Sequence, residues 1–418
     1  MRFVLVEKAL KESRSFLIWD VSAAVDHARK LARDGNKVYY YTEWTEASPS
    51  FKKYASGLGY EGVTKVKNFY KFVDKVDCIC FFYIGRGDLC VWLRDKGYTC
   101  FGAGQGERLE RDRAWAKDVQ KKIGLPVQDY KVIKGIDNVI KYVEKSPKKY
   151  IKLNIWRGDQ ETFFVEDAEE AETILNPMKA KLGPFSNGFE FIVEDEVPNV
   201  VVESGWDLFF NGRDYLRPYL WGFLHRGVYL GKYVDELPEP LERIAEAIKP
   251  LLIGFDYRGA ISTEILITKK REPYILDWTA RMPYPLGILY TYVIKNYSEV
   301  IWKIAKGEDV ELDLKDKYVG AIDLSSNHAL QNWVKVTVPP KLREQIGVQG
   351  ARWMDEEYVV PGYELVAEAV SYGGSVKAVI EDLKKVSGKV VAFGYEPKID
   401  EVALKEVLSG GESVGLKL

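Results

Sequence analysis

The chain has 418 residues, 46% of them hydrophobic and 29% charged, enough to bury cores in about two to four domains. Its 60 Lys and Arg nearly balance 62 Asp and Glu, for a net charge of -2, which argues against a general nucleic-acid binder that would carry a basic excess for phosphates. No apolar run reaches a membrane span, and MRFVLVEKALKES has neither the apolar length nor the cleavage pattern of a secretory leader.

Residues 1–100 alternate strand and helix signals. Arg2–Val6 reads as a first buried strand, Val21–Ala32 has helical spacing, and Lys37–Thr42 and Asp77–Tyr83 read as strands. Gly87–Lys96 then reads as a helix and Tyr98–Gly102 as a strand, an order that predicts a doubly wound parallel sheet. The turn Ile84–Asp88 enters a helix, where backbone N–H groups can meet an anionic substrate; its glycines more often simply permit the turn. All four cysteines fall between Cys78 and Cys100, at spacings that fit small buried hydrophobes better than zinc ligands. They predict a cytoplasmic, reducing location. Only His27, His225 and His328 are present, which leaves little room for a multi-histidine centre.

Residues 107–124 predict a helix with Trp115, Val119 and Ile123 on one stripe, Gly124 as its stop and Pro126 beyond. Asp129–Lys134 then reads as a strand, and Ile136, Val139, Ile140 and Val143 mark a helix. Tyr150–Ile155 and Thr162–Val165 are strands around the turn WRGDQ, and a further helix runs from Ala168 to about Lys181. The run KSPKKYIKLNIWR (145–157) is a local basic patch. Residues 191–212 predict two long strands, and Leu237, Leu241, Ile244, Ile248 and Leu251 a helix. An apolar helix follows at Leu286–Ala305, and Ser375 N-caps one at Ser375–Lys385. Four units result: 1–105, 106–190, 191–310 and 311–418.

The most informative stretch is GAISTEILITKKREPYILDWTAR (259–281). Two strand-like runs, Ala260–Thr268 and Pro273–Trp278, flank a charged turn, and each carries one acid on an apolar background. Paired as a hairpin, they bring Glu264 and Asp277 onto one face. Adjacent carboxylates repel unless a cation lies between them, which points to Mg²⁺ shared with substrate phosphates. Arg281, four residues on, would then face the transferred phosphoryl group. Solvated acids with a salt-bridged arginine are the plainer alternative.

The order of parts resembles the ATP-grasp superfamily, and within it phosphoribosylamine–glycine ligases. FGAGQGERLERDRAWAKDVQKKIGLPVQDY (101–130) carries the local likeness, and the resemblance spans roughly residues 98 to 305. It implies an α/β chain, α+β in its ATP-grasp part, with a doubly wound N-terminal domain, an ATP-grasp lid and core, and a small C-terminal α/β domain. By resemblance, Lys152 is the lid-strand lysine over the ATP phosphates, and Arg113 stands where the family has a second lysine. FIVEDEV (191–197) matches the adenine hinge, which implies nucleotide contacts from Glu194, Asp195, Glu196 and Val197; Glu203 aligns with a later acid of the same stretch. The family's Glu, then Glu-x-Asn-x-Arg, becomes Glu264, then Asp277, Thr279 and Arg281, so the first three are the implied metal donors. The Gly-Gly-Arg-Glu-His turn of the ligases is replaced by VEKALKESRS (6–15), Gly-Gly-Met-Gly by HRGVYLGKY (225–233), and the acidic loop after the arginine by Met282-Pro283-Tyr284-Pro285.

The resemblance therefore implies an ATP- and Mg-dependent carboxylate–amine ligase working through an acyl phosphate on a small-molecule substrate pair other than phosphoribosylamine and glycine. A true glycine ligase of purine synthesis, a ligase with a modified nucleobase or macromolecular acceptor, and a degenerate nucleotide-binding module follow in that order.

Overall fold

The computed structural model describes residues 13–42, 55–155, 162–283, 287–330, 332–348, 350–361, 365–397 and 399–418. The expected strand Arg2–Val6, the turn WRGDQ and Tyr284-Pro285 lie outside the described residues.

Five parallel strands open the described chain: β1 (Ser15–Asp20), β2 (Lys37–Thr42), β3 (Val63–Lys65), β4 (Cys78–Phe81) and β5 (Cys100–Phe101), in the order β3-β2-β1-β4-β5. Successive side chains of a strand point to opposite faces, and the pattern of β1 shows both faces covered. Phe16 and Ile18 pack with Val25, Ala28 and Leu31 of the helix Val25–Arg33, whereas Leu17 and Trp19 share a core with Cys90 and Leu93 of the helix Gly87–Asp95. This is the doubly wound arrangement the alternation predicts. The four cysteines are buried, Cys78 and Cys80 in the first core, Cys90 and Cys100 in the second.

The predicted 107–124 helix is two pieces, Arg108–Arg111 and Arg113–Lys122. Asp112 leaves helical geometry, and its carboxylate accepts from Trp115 N at 3.1 Å, capping the second piece. Next comes a small antiparallel sheet of β6 (Tyr130–Lys134), β7 (Lys149–Leu153), β8 (Thr162–Val165) and β9 (Glu190–Glu194), ordered β6-β9-β7-β8. The helices Ile136–Lys145 and Ala168–Leu182 cover it, burying Val139, Val143 and Leu175 against Ile151, Val165 and Phe191. Here the sequence reading is corrected: β9 does not lead into the long strands after it but closes this sheet, between β6 and β7.

An eight-stranded sheet forms the body. It comprises β10 (Val200–Asn211), β11 (Tyr219–His225), β12 (Val228–Val234), β13 (Arg258–Thr268) and β14 (Pro273–Thr279), with β15 (Tyr318–Ser325), β17 (Ile346–Gly347) and β20 (Leu365–Gly373). The order is β14-β13-β10-β11-β12-β15-β20-β17, so residues on either side of 310 share one sheet. The remaining strands β16 (Trp333–Thr337), β18 (Arg352–Met354), β19 (Glu357–Pro361) and β21 (Val391–Ala392) make a fourth sheet. The helix Glu239–Gly254 buries Leu241, Ile244 and Ile248, as its spacing predicts. The expected single helix Leu286–Ala305 is instead Gly287–Val293 and Tyr297–Lys306. Between them Asn296 is tied sideways: its amide donates to Glu311 O at 2.9 Å and accepts from Asp313 N at 3.0 Å.

Candidate functional site

In the β13–β14 hairpin Glu264 and Asp277 stand directly opposite each other, with a register irregularity immediately after Glu264. Cross-strand partners share a face, and both side chains line one cleft of about 850 Å³ between the small sheet and the large one. Every site residue nominated from sequence lines this cleft. The large sheet contributes Glu203 from β10, Glu264 from β13, and Asp277 and Thr279 from β14, with Arg281 just beyond. The small sheet contributes Lys152 from β7 and Glu194 from the end of β9, followed by Asp195, Glu196 and Val197. Arg113 enters from the first turn of its helix.

The charges interlock. Arg113 Nε donates to Asp277 Oδ1 at 3.0 Å, and Lys152 Nζ lies 3.5 Å from Asp277 Oδ2, 3.1 Å from Leu276 O and 3.8 Å from Glu194 Oε2. Burial opposes the charge on Asp277, but Lys152 and Arg113 hold its carboxyl below the usual range. Burial likewise works against the Lys152 ammonium, and Asp277 and Glu194 outweigh it, so its pKa is raised. Arg281 Nε donates to Glu110 Oε1 at 3.0 Å, and its guanidinium lies 4.8 Å from the Tyr83 ring centroid. Glu110 Oε2 accepts from Ala280 N at 2.7 Å, fixing the backbone just before the arginine. Burial raises the Glu110 carboxyl against the pull of Arg281.

Three residues that the sequence reading did not single out belong to this network: Glu110, Lys117 and Gln128. Lys117 Nζ is 2.9 Å from Glu194 Oε1, and Gln128 Nε2 donates to Glu194 Oε2 at 3.0 Å, so Glu194 binds both lysines from below. Lys117 is only 4% exposed and burial lowers its pKa despite Glu194. A signal for it existed. The buried face of its helix is Arg113, Ala116, Lys117 and Gln120, at helical spacing, while Trp115, Val119 and Ile123 are only partly buried. Lys117 therefore lies one turn below Arg113. Glu110 stands in the charged run ERLERDR, where no local pattern distinguishes it.

Two other sequence readings resolve. At the Ile84–Asp88 turn the N–H groups of Gly85 and Gly87 both donate to Glu107 Oε2, at 2.7 and 2.9 Å, so an internal carboxylate holds the position an anionic substrate would need. Three of the four lysines of the 145–157 patch are paired as well: Lys148 with Glu166, Lys149 with Asp195, and Lys152 as above. Among the described residues no group of three or more His, Cys, Asp or Glu side chains forms a metal cage. The opposed carboxylates Glu264 and Asp277 and the Thr279 hydroxyl are hard oxygen donors of the kind that hold Mg²⁺ when substrate phosphates complete its shell. Among the described residues no helix is long and apolar enough to cross a membrane.

No family model matches the chain. Over 225 residues it is 23% identical to a phosphoribosylamine–glycine ligase of Clostridium acetobutylicum, a match covering 49% of this chain and 53% of that protein. The chain thus spans about half the length of that curated relative. Among solved structures it matches phosphoribosylamine–glycine ligase from Thermotoga maritima with a TM-score of 0.66 at 17% identity, covering 91% of this chain and 98% of the other. It matches the biotin carboxylase domain of Hydrogenobacter thermophilus 2-oxoglutarate carboxylase, solved with MgADP and bicarbonate, with a TM-score of 0.67 at 13% identity, covering 92% and 91%. For N5-carboxyaminoimidazole ribonucleotide synthetase from Thermotoga maritima the TM-score is 0.63 at 12% identity, covering 91% and 99%. These likenesses show the fold: the chain has the architecture of ATP-grasp proteins.

Proposed function

We propose that this chain is an ATP-dependent carboxylate–amine ligase that forms an amide through an acyl phosphate. The observation that carries the reading is the opposed pair Glu264 and Asp277, lying in one cleft with Lys152, Arg113 and Arg281. That cleft is framed by a small sheet and a large one, as a nucleotide-binding lid and floor would be.

Glu264, Asp277 and the Thr279 hydroxyl would hold Mg²⁺, which when bound neutralises triphosphate charge. Lys152 and Arg113, now on Asp277, would turn to the phosphates, and Glu194 with Lys117 and Gln128 would keep Lys152 at the end of β7. Asp195 N already donates to Asp129 O at 2.9 Å, so we assign the adenine edge to the backbone at Glu196 and Val197. Glu203 borders the same wall and would contact the sugar.

A carboxylate oxygen of the first substrate attacks the γ-phosphorus, the bridging P–O bond to ADP breaks, and an acyl phosphate results. The amine nitrogen then attacks the carbonyl carbon, phosphate leaves with the C–O electron pair, and the nitrogen loses a proton. Positioning and charge neutralisation carry such a transfer. Arg281, braced by Glu110 and Tyr83, is placed to stabilise the phosphoryl group and the acyl phosphate. A substrate pair other than phosphoribosylamine and glycine fits the tight β11–β12 turn at Arg226-Gly227, which stands where the ligases carry Gly-Gly-Met-Gly. Four free, buried cysteines suit a cytoplasmic setting.

The test is an ADP-release screen of carboxylates against amines with Mg²⁺, with phosphoribosylamine plus glycine as one pair. ADP release that needs one carboxylate and one amine together supports the ligase. Nucleotide binding without release in any mixture would reduce the chain to a binding module. Release with phosphoribosylamine plus glycine would make it the glycine ligase that its curated relative is named for.

A further inference from the structure

Two buried carboxylates, one helical turn apart, hold two different parts of the molecule. The turn Gly104–Glu107 runs directly into the helix Arg108–Arg111, so Glu107 and Glu110 emerge three residues apart on one face. Both side chains are buried. Glu110 grips the large sheet through Ala280 N and Arg281 Nε. Glu107 grips the first sheet. Its Oε2 accepts from Gly85 N and Gly87 N just past the carboxyl end of β4, and its Oε1 accepts from Arg111 Nη1 at 2.6 Å.

The purpose of the second grip follows from what lies between the two. The 84–88 turn is seated on the helical segment: a Cβ on Gly87 would fall 2.2 Å from Gly104 O, and Gln105 Nε2 donates to Asp88 Oδ1 at 3.0 Å. Immediately before the turn, Phe82 O accepts from Met282 N at 3.2 Å, and the Tyr83 ring faces the Arg281 guanidinium. Arg281 Nη1 also donates to Met282 O at 3.3 Å. The backbone is therefore fastened on both sides of Arg281, at Ala280 by Glu110 and at Met282 by the residue that follows β4. That end of β4 is fastened in turn by Glu107. The turn adjoins the β1–β4 boundary, where the strand order reverses and doubly wound sheets receive ligands. With both amides committed to Glu107, it works as a joint between the first sheet and the cleft.

We infer that Glu107 is a positioning residue for Arg281. By holding the 84–88 turn it sets Phe82 O and Tyr83, and through them the guanidinium that meets the transferred phosphoryl group. The inference rests on the ligase reading and deepens it, since it makes the phosphoryl end of the cleft depend on the first domain. Reach matters here more than charge, because a single oxygen takes both amides. Glutamine supplies the same acceptor oxygen at the same length, whereas aspartate keeps the charge and is one carbon shorter. A small displacement of a positioned group is enough to weaken its hold on a reacting centre.

The experiment measures MgADP and MgAMP-PNP affinities by calorimetry, the second nucleotide adding the terminal phosphoryl group. Wild type should bind MgAMP-PNP about tenfold more tightly than MgADP, and Arg281→Ala should abolish that margin. Glu107→Asp should cut the margin about fivefold and Glu107→Gln should keep it within about twofold, with MgADP affinity within about twofold in both. In an Arg281→Ala background Glu107→Asp should change nothing further, because it acts through the arginine. Tyr83→Leu, which leaves the turn bonds in place, should repeat the Glu107→Asp loss and keeps the test open if that variant does not fold. A full margin in Glu107→Asp, a loss that adds to that of Arg281→Ala, or an equal weakening of MgADP would overturn the positioning role. Failure of wild type to bind MgADP, or to distinguish the two nucleotides, would instead overturn the reading of the cleft on which it rests.

Discussion

The cleft and the smaller cavity of about 110 Å³ beside it share Glu203, Glu264 and Thr279, yet their acids are held differently. In the cleft three acids are tied to cations: Asp277 holds Arg113 and Lys152, Glu194 holds Lys117 and Lys152, and Glu110 holds Arg281. In the smaller cavity the buried Asp207 instead accepts from the Tyr229 hydroxyl at 3.0 Å. A balanced network can exchange partners when a polyanion and its counter-ion arrive together, because each cation moves from one anion to another. The contrast marks the cleft as the end able to exchange charge, and the variants below test its network.

The largest effect is expected at Arg281. Arg281→Ala should lower ADP release by about 10²–10³-fold or below detection, the scale seen when a single preorganised donor to a charged transition state is removed. The fold should survive, because Glu110 keeps the Ala280 N–H as a donor at 2.7 Å. Pairing the change with Glu110→Gln controls for the stranded acid. Undiminished turnover would remove Arg281 from the mechanism.

How much of this site the sequence discloses follows from the range of the pairings. Glu264 and Asp277 sit in one hairpin, so period-two alternation alone brings them together. The doubly wound sheet is equally local, because strand and helix alternate along the chain. β9 is different: its partners Tyr130–Lys134 and Tyr150–Leu153 lie far upstream, and no pattern within Glu190–Glu194 names them. The sheet that carries β12 onto β15 is likewise invisible to local reading, since it bridges three helices and the β13–β14 hairpin. Lys117 was legible only by asking which face of its helix is buried. The apolar stripe answers wrongly there, because the inward face is charged and satisfied by Glu194.

Lys117 supplies the next test. Lys117→Met should destabilise the fold by roughly 3 kcal/mol, since breaking a buried ion pair strands its partner. Lys152 stays within reach of Glu194, so the loss should fall short of unfolding. Lys152→Met should instead act mainly on nucleotide affinity. Chemical denaturation beside a nucleotide titration separates the two, and equal effects of both variants on both readouts would erase the division of labour between the lysines.

Asp277→Asn should cost about 1 kcal/mol of stability at neutral pH, a modest figure because the side chain is 30% exposed. Its folded pKa is depressed, so the stabilisation is complete above the unfolded value of about 3.9 and disappears as pH falls through the folded value. Denaturation curves of wild type and variant should therefore converge on strong acidification and stay parallel from about pH 5 upward. A gap that persisted in strong acid would assign the effect to packing rather than to the charges of Arg113 and Lys152.

The smallest effect concerns Thr279, the one proposed metal donor that is not an acid. It follows Asp277 by two residues on β14, so both side chains emerge on the same face, and it lines both cavities. A hydroxyl is a weaker ligand than an amide oxygen, and the resembling family carries Asn at this position. Thr279→Asn should thus lower the Mg²⁺ concentration for half-maximal ADP release by about threefold, on the order of 0.7 kcal/mol. An unchanged Mg²⁺ dependence would remove Thr279 from the metal donors.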